Sequence, residues 1–200
     1  MTFKVLGISG SMHPNDKTSV LVERALEAAK NAGAETELVK LGELDLPVFV
    51  VGKKDLPSQV TDIRRKVTEA HAFIVGTPEY HGSMSGALKN FFDYHYFEFG
   101  GKLFGIVLST GGGQGVSAAM NVRSACQYCH GWVLPYQAAA EQKDFNEKNE
   151  LLNEKVQDRL IRMGRDLVTY GKLLITEFKK ELESTEEKVG FAAWHMPRKK

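Results

Sequence analysis

Three short segments of this 200-residue chain bring together hydroxyl, imidazole, phenol, carboxylate and glycine residues in patterns that could do chemistry. The first, Gly10-Ser-Met-His-Pro-Asn-Asp-Lys-Thr-Ser19, crowds Ser11, Thr18 and Ser19 into one connection with His13 and Lys17. Small and hydroxyl residues between a strand and a helix leave backbone N–H groups free at the helix N-terminus. There the helix dipole favours an anion, most often a phosphate. A capped connection that binds nothing is the alternative. Neither G-x-G-x-x-G nor G-x-x-x-x-G-K-[ST] occurs in it, and a phosphate cradled mainly by hydroxyls suggests a mononucleotide. The second segment, Thr77-Pro-Glu-Tyr-His-Gly-Ser83, sets an acid, a phenol and an imidazole among turn formers. The third, Ser109-Thr-Gly-Gly-Gly-Gln-Gly115, requires unusual backbone angles. It either lets a flat ligand approach the main chain or serves as a flexible hinge.

A fourth pattern leads elsewhere. Cys126-Gln-Tyr-Cys129-His130 matches the C-x-x-C-H of covalent haem attachment, and C-x-x-C alone can be a redox pair. Haem attachment belongs to exported, oxidising settings. No signal-peptide core precedes the first strand, and the motif falls within a helix. With only two cysteines, a structural zinc would need His130 and a distant fourth ligand. Buried core cysteines are therefore expected here.

The elements that must carry the three segments alternate strand and helix. A short apolar run with Val5, Leu6 and Ile8 reads as a strand, and Val20, Leu21, Ala25, Leu26 and Ala29 recur at helical spacing. Gly33 stops that helix and Glu35 to Leu41 is the second strand. The connection from Leu44 to Pro57 is long and partly apolar, so Val48, Phe49 and Val50 must bury themselves somewhere, a neighbouring subunit being one place. Ser58 is expected to cap a helix whose inner face is Val60, Ile63, Val67 and Ala70, with Arg64, Arg65 and Lys66 in solvent. Ala72 to Gly76 is continuously apolar, as a parallel strand covered on both faces requires. A helix resumes at Ala87 and ends in Tyr94, Tyr96, Phe97 and Phe99, an aromatic cluster that is either core or subunit interface, with the interface favoured. Lys102 to Ser109 is the fourth strand and Val116 to Cys129 the helix after it. Trp132 to Ala140 is the fifth strand, placed at an edge because Pro135 lacks a ladder donor. From about Asn149, Leu152, Val156, Leu160, Met163, Leu167, Gly171, Leu174 and Phe178 form the stripe of one long amphipathic helix. All three candidate segments thus fall at carboxyl ends of strands, where doubly wound sheets bind ligands.

Length suits a single α/β domain over residues 1–184, with 185–200 as a tail. Phe191, Trp194 and Met196 make that tail either an arm on a partner subunit or an unstructured end. A net charge of +1, from 26 basic and 25 acidic residues, provides no basic field for nucleic acid. No run of 18 apolar residues offers a membrane span, so a cytoplasmic protein with small-molecule partners is expected.

Together the three strand-end segments resemble the NAD(P)H-dependent FMN reductase family, flavodoxin-like proteins that include quinone and chromate reductases. The resemblance runs from Phe3 to about Ala140. Its most specific piece is Thr77-Pro-Glu-Tyr-His-Gly-Ser-Met-Ser-Gly-Ala-Leu-Lys-Asn-Phe-Phe-Asp93, similar to the family's T-P-E-Y-N-x-S-x-P-G-x-L-K-N-x-x-D. The resemblance implies a three-layer sandwich around a five-stranded parallel sheet of order 2-1-3-4-5, with bound FMN and with NADPH or NADH as hydride donor. It further implies a small acceptor (a quinone, free flavin, metal oxyanion or azo compound) and assembly as a homodimer or homotetramer. Carried over by residue, Ser11, His13, Lys17, Thr18 and Ser19 surround the FMN phosphate. Pro78, Glu79, Tyr80 and His81 hold the isoalloxazine edge, while Ser109, Gly111, Gly112 and Gly113 complete the pocket. The chemistry resides in the flavin, with no side chain required as acid or base and no metal. Two positions depart from the pattern: His13 replaces an arginine, and Ser85 replaces a proline, which is expected to loosen a turn. A flavodoxin-type electron carrier is the competing reading; such carriers are usually strongly acidic, and the near-zero charge favours the enzyme. A regulatory flavodoxin-like domain without cofactor is a third, and it would leave the hydroxyl-rich first loop without purpose.

Overall fold

The computed structural model describes residues 2–53, 55–184, 191 and 192. Five parallel strands, β1 (Lys4–Ser9), β2 (Glu35–Lys40), β3 (Ala72–Pro78), β4 (Leu103–Thr110) and β5 (Trp132–Glu141), form one sheet of order β2-β1-β3-β4-β5. Helices α1 (Lys17–Asn31) and α5 (Glu154–Glu183) cover one face; α2 (Ser58–Glu69), α3 (Gly86–Asp93) and α4 (Val116–Tyr128) cover the other. This is the flavodoxin-like winding expected from the sequence, with its switch point between β1 and β3.

The period of two along the central strands divides two cores. On β3, Ala72 and Ile74 face α1 and α5, while Phe73 and Val75 face α3 and α4; on β4, Leu103 and Val107 oppose Phe104, Ile106 and Leu108 in the same way. Both strands are buried on both sides, which is why their sequences run almost unbroken in apolar residues. The two helices on the first face approach closely because Gly164 of α5 lies against α1. A Cβ there would come within 2.3 Å of the Ala25 carbonyl oxygen. At the edge, the register between β4 and β5 shifts between Phe104 and Ile106, and Pro135 falls in that irregularity, where its missing N–H leaves no ladder bond unmade.

Several local expectations need correction. Helix α5 starts at Glu154 rather than near Asn149, because the Asn153 side chain accepts from the N–H groups of Lys155 and Val156. Leu152 therefore lies outside the helix and is 58% exposed. Ser58 does not cap α2: Pro57 holds the cap position, and its carbonyl accepts from Val60 and Thr61. Arg64 and Lys66 are not a wet face either. Arg64 donates to the Tyr94 carbonyl and pairs with Glu98, and Lys66 bridges Glu37 and Asp62. Of the aromatic cluster, Tyr94 and Phe99 are core residues, and only Tyr96 and Phe97 remain exposed.

The C-x-x-C-H motif closes α4. Cys126 and Cys129 are free and buried on the second face, and burial pushes both thiols up, that of Cys129 to about 11. His130 adopts φ 61° just past the helix end, and its N–H donates to Gln127. Near it, Phe191 packs on His130, Trp132 and Phe178, with Ala192 buried beside it. Trp194 and Met196 lie outside the described residues.

Candidate flavin site

The connection after β1 is folded upon itself before α1 begins. The N–H of His13 donates to Ser11 Oγ at 3.2 Å, that of Asn15 to His13 Nδ1 at 3.0 Å, and that of Lys17 to the Asn15 carbonyl at 3.1 Å. Asp16, which sequence reasoning passed over, caps α1. It accepts from the Ser19 N–H at 3.0 Å, the Ser9 hydroxyl at 2.8 Å and the Ser19 hydroxyl. An aspartate just before an apolar helical run is a cap signal in its own right. Among the described residues of this loop, the amides of Ser11, Met12, Asp16 and Thr18 are without a protein hydrogen-bond partner and can receive an anion.

The expected site residues separate under this geometry. Ser11 is buried and His13 exposed on the loop. Ser19 spends its amide and hydroxyl on Asp16. Thr18, buried at the base, shares a hydrogen bond of 2.8 Å with the Ser109 hydroxyl and so ties the first loop to the end of β4. Lys17 turns away, its Nζ donating to Gln142 and lying 5.6 Å from the centre of the Phe145 ring.

The loop after β3 is closed by backbone bonds of its own. The Glu79 N–H donates to the Ser109 carbonyl at 2.9 Å, extending the β3–β4 pairing beyond Pro78. Tyr80 and Ser83 then exchange both backbone bonds at 3.0 Å, closing a two-residue turn. His81 and Gly82 sit at its corner with φ 52° and 74°. A turn with two left-handed corners selects Gly, Asn, Asp or, less often, His, which explains why histidine serves where the family pattern has asparagine. The turn holds the Tyr80 ring half in solvent, 49% exposed.

Ser85 contradicts the expectation of a looser turn. Its hydroxyl donates to the Gly10 carbonyl at 2.6 Å and accepts the Leu88 N–H at 3.1 Å, capping α3, while its own N–H donates to Thr77 Oγ1 at 2.9 Å. A proline supplies neither the hydroxyl nor the N–H. The first and second loops are thereby locked together across the switch point.

In the third loop, Thr110 Oγ1 donates to the Gly113 carbonyl at 2.9 Å, and the Gly113 N–H donates to Glu141 at 3.2 Å. The ammonium of Lys143 holds the Glu141 carboxyl below its usual range. Gly111 and Gly112 have no positive φ, and a Cβ on either would meet nothing within 4 Å. Nothing inside the chain demands glycine there, and glycine leaves the main chain open to the approach of a flat ring. The first loop's free amides and hydroxyls suit a phosphate, and the Tyr80 ring and the glycine run suit an isoalloxazine, so the residues present fit FMN.

Sequence reasoning also missed Asn90. Its side chain accepts the Phe49 N–H at 2.8 Å and donates to the Pro47 carbonyl at 2.9 Å, and Tyr94 Oη donates to the same carbonyl at 2.9 Å. The connection from Leu44 to Pro57 is thus pinned to α3, although Val48, Val50 and Val51 at its tip are exposed.

A doubly wound parallel sheet with three cross-braced loops at its carboxyl ends defines a flavodoxin-like nucleotide-binding protein. Residues 3–145 match the family described as NADPH-dependent FMN reductase, and the chain belongs to that family. It is 33% identical over 172 residues to the NAD(P)H-dependent FAD/FMN reductase of Geobacillus thermodenitrificans, spanning 82% of this chain and 91% of that one. It is 32% identical over 155 residues to the FMN-dependent NADPH-azoreductase of Staphylococcus aureus, spanning 74% and 81% of the two chains. The solved structure of the flavoenzyme NAD(P)H:(acceptor) oxidoreductase FerB from Paracoccus denitrificans superposes with a TM-score of 0.72 at 18% identity, over 86% of this chain and 99% of that one. The protein is an FMN-dependent NAD(P)H oxidoreductase rather than an electron carrier.

Proposed function

We propose that this chain passes reducing equivalents from NADPH or NADH through FMN to a small oxidised acceptor of the quinone, azo or free-flavin class, at the carboxyl ends of β1, β3 and β4. The observation that carries this reading is the cross-bracing of three loops, Thr18 to Ser109, Glu79 to Ser109 and Ser85 to Gly10, around one end of the sheet. When bound, FMN supplies the hydride-accepting and electron-donating chemistry. The chain's residues supply placement. The amides of Met12, Asp16 and Thr18, with the Ser11 hydroxyl, hold the phosphate. The Pro78–His81 segment supports the ring edge, and Gly111 to Gly113 let the ring approach the backbone. Fixing the two reactants within about 3 to 3.5 Å in a cleft poor in water is where such a site gains its rate, and it requires rigid loops rather than an acid or base.

Assembly as a homodimer or higher oligomer completes the proposal. Val48, Val50 and Val51 are exposed on a tethered loop beside the site, and Tyr96 and Phe97 are exposed after α3. No helix among the described residues is long and apolar enough to cross a membrane, and with two free cysteines a reducing cytoplasm is the compartment we propose. The test is steady-state oxidation of NADPH and of NADH by FMN-supplemented protein, with a naphthoquinone, an azo dye and free FMN as acceptors, alongside light-scattering mass in solution. Acceptor-dependent turnover by an oligomer is expected. Absence of turnover with all three acceptors overturns the reading.

A further inference from the structure

Asp16 stands where the phosphate of FMN is to be received, and no cation answers it. Among the described residues it makes no ion pair, and its carboxylate is held by the Ser9 hydroxyl and by the amide and hydroxyl of Ser19. Ser9 and Ser19 are buried at 0% and 2% exposure, so the acid is built into the base of the loop. The neighbouring lysine, Lys17, is engaged with Gln142 and the Phe145 ring. His13, in the place of the family's arginine, is exposed and accepts the Asn15 N–H on Nδ1. The loop therefore offers amides and hydroxyls to an anion while carrying a fixed negative charge of its own.

A phosphate monoester carries about −1.5 to −2 charges at neutral pH, and a carboxylate within one helical turn of it opposes that charge through a partly buried medium. We propose that Asp16 holds down the phosphate's contribution to flavin binding, so that the site takes flavin as an exchangeable ligand and distinguishes FMN only weakly from flavins that carry less phosphate charge. The inference rests on the FMN reading and deepens it: flavin released after reduction becomes a product as well as a cofactor. The same carboxylate caps α1, and an asparagine there would keep an acceptor for the Ser19 N–H without the charge.

That equivalence provides the test. Dissociation constants for FMN and riboflavin are measured by flavin fluorescence quenching for the wild type, Asp16→Asn and Asp16→Ser, each first shown to melt cooperatively. Removing the charge should tighten FMN about tenfold at low salt in both variants and leave riboflavin within twofold. The gain should shrink in 0.5 M NaCl, where the screening length falls to roughly 4 Å. Unchanged or weaker FMN binding in Asp16→Asn, or equal tightening of riboflavin, overturns the inference while leaving the FMN reading intact. Failure of wild type and variants to bind either flavin overturns both.

Discussion

The hydroxyl of Ser85 donates to the carbonyl oxygen of Gly10 at 2.6 Å across the switch point of the sheet, joining the end of β1 to the first turn of α3. Ser85 Oγ also accepts the Leu88 N–H, and both bonds are buried. Loss of the hydroxyl removes a helix cap and strands a buried carbonyl. Ser85→Ala should lower stability by about 2 to 3 kcal/mol in urea unfolding. Ser85→Pro, although it restores the family's residue, also deletes the N–H given to Thr77 and should lose more. A proline variant as stable as the wild type would show that the brace contributes nothing.

The corner of the Tyr80–Ser83 turn makes a second prediction. His81 pays for φ 52° with a side chain that fits the left-handed region poorly. His81→Asn should leave stability unchanged or raise it slightly. His81→Val should lower it by about 1 to 2 kcal/mol, because a β-branched residue resists that conformation. Equal melting temperatures for all three proteins would contradict the turn geometry.

His71 makes stability depend on pH on the acid side. It stacks on Phe3, accepts the Lys4 N–H on Nδ1, and is held down to about 4, first by burial and then by the charges of Lys179, Lys102 and Lys4. The unfolded chain takes up this proton near pH 6.5, whereas the folded chain does so only near 4. Between those values the unfolded state binds more protons, so stability should fall as pH falls through that window and change no further on this account below it. The denaturation midpoint of His71→Phe should decline less steeply from pH 7 to 4.5 than that of the wild type. Parallel slopes would remove His71 from the explanation.

The half-exposed ring of Tyr80 should matter to flavin, and that of Tyr128 should not, although Tyr128 is the more exposed at 78%. Tyr80 stands on the strand-end turn and Tyr128 at the far end of α4. Tyr80→Ala should weaken FMN binding about tenfold, the scale of a lost aromatic contact, and Tyr128→Ala less than twofold. Equal losses at matched stability would place the flavin elsewhere.

Much of this was legible in the chain because periodicity reports burial directly. The unbroken apolar runs of β3 and β4, the stripe of α5 and the glycine after α1 placed the strands and helices, and the loops after β1, β3 and β4 followed; the order of the sheet was implied by the family resemblance. Partner choice was not legible. Asp16 competes with an anion for the amide and hydroxyl of Ser19, and only the folded loop reveals that the carboxylate has taken them. Ser85 looked like the loss of a rigid proline because its two partners, Gly10 and Thr77, are distant in sequence. Ser58 and Asn153 show the same limit at helix ends, where a capable side chain caps only if the entering backbone aims it at the first-turn amides. An aromatic cluster reads alike in sequence whether its cover is a partner or, as at Tyr94, the chain's own Pro47 and Phe49.

The most direct measurement is the visible spectrum of the purified protein supplemented with FMN, recorded without oxygen before NADPH, after NADPH and after a quinone is added. Loss of the oxidised-flavin absorbance with NADPH, at a rate that saturates with protein, and its return with the quinone, are the predicted results. A flavin band that is unmoved by both NADPH and NADH while the protein demonstrably binds FMN would contradict the account.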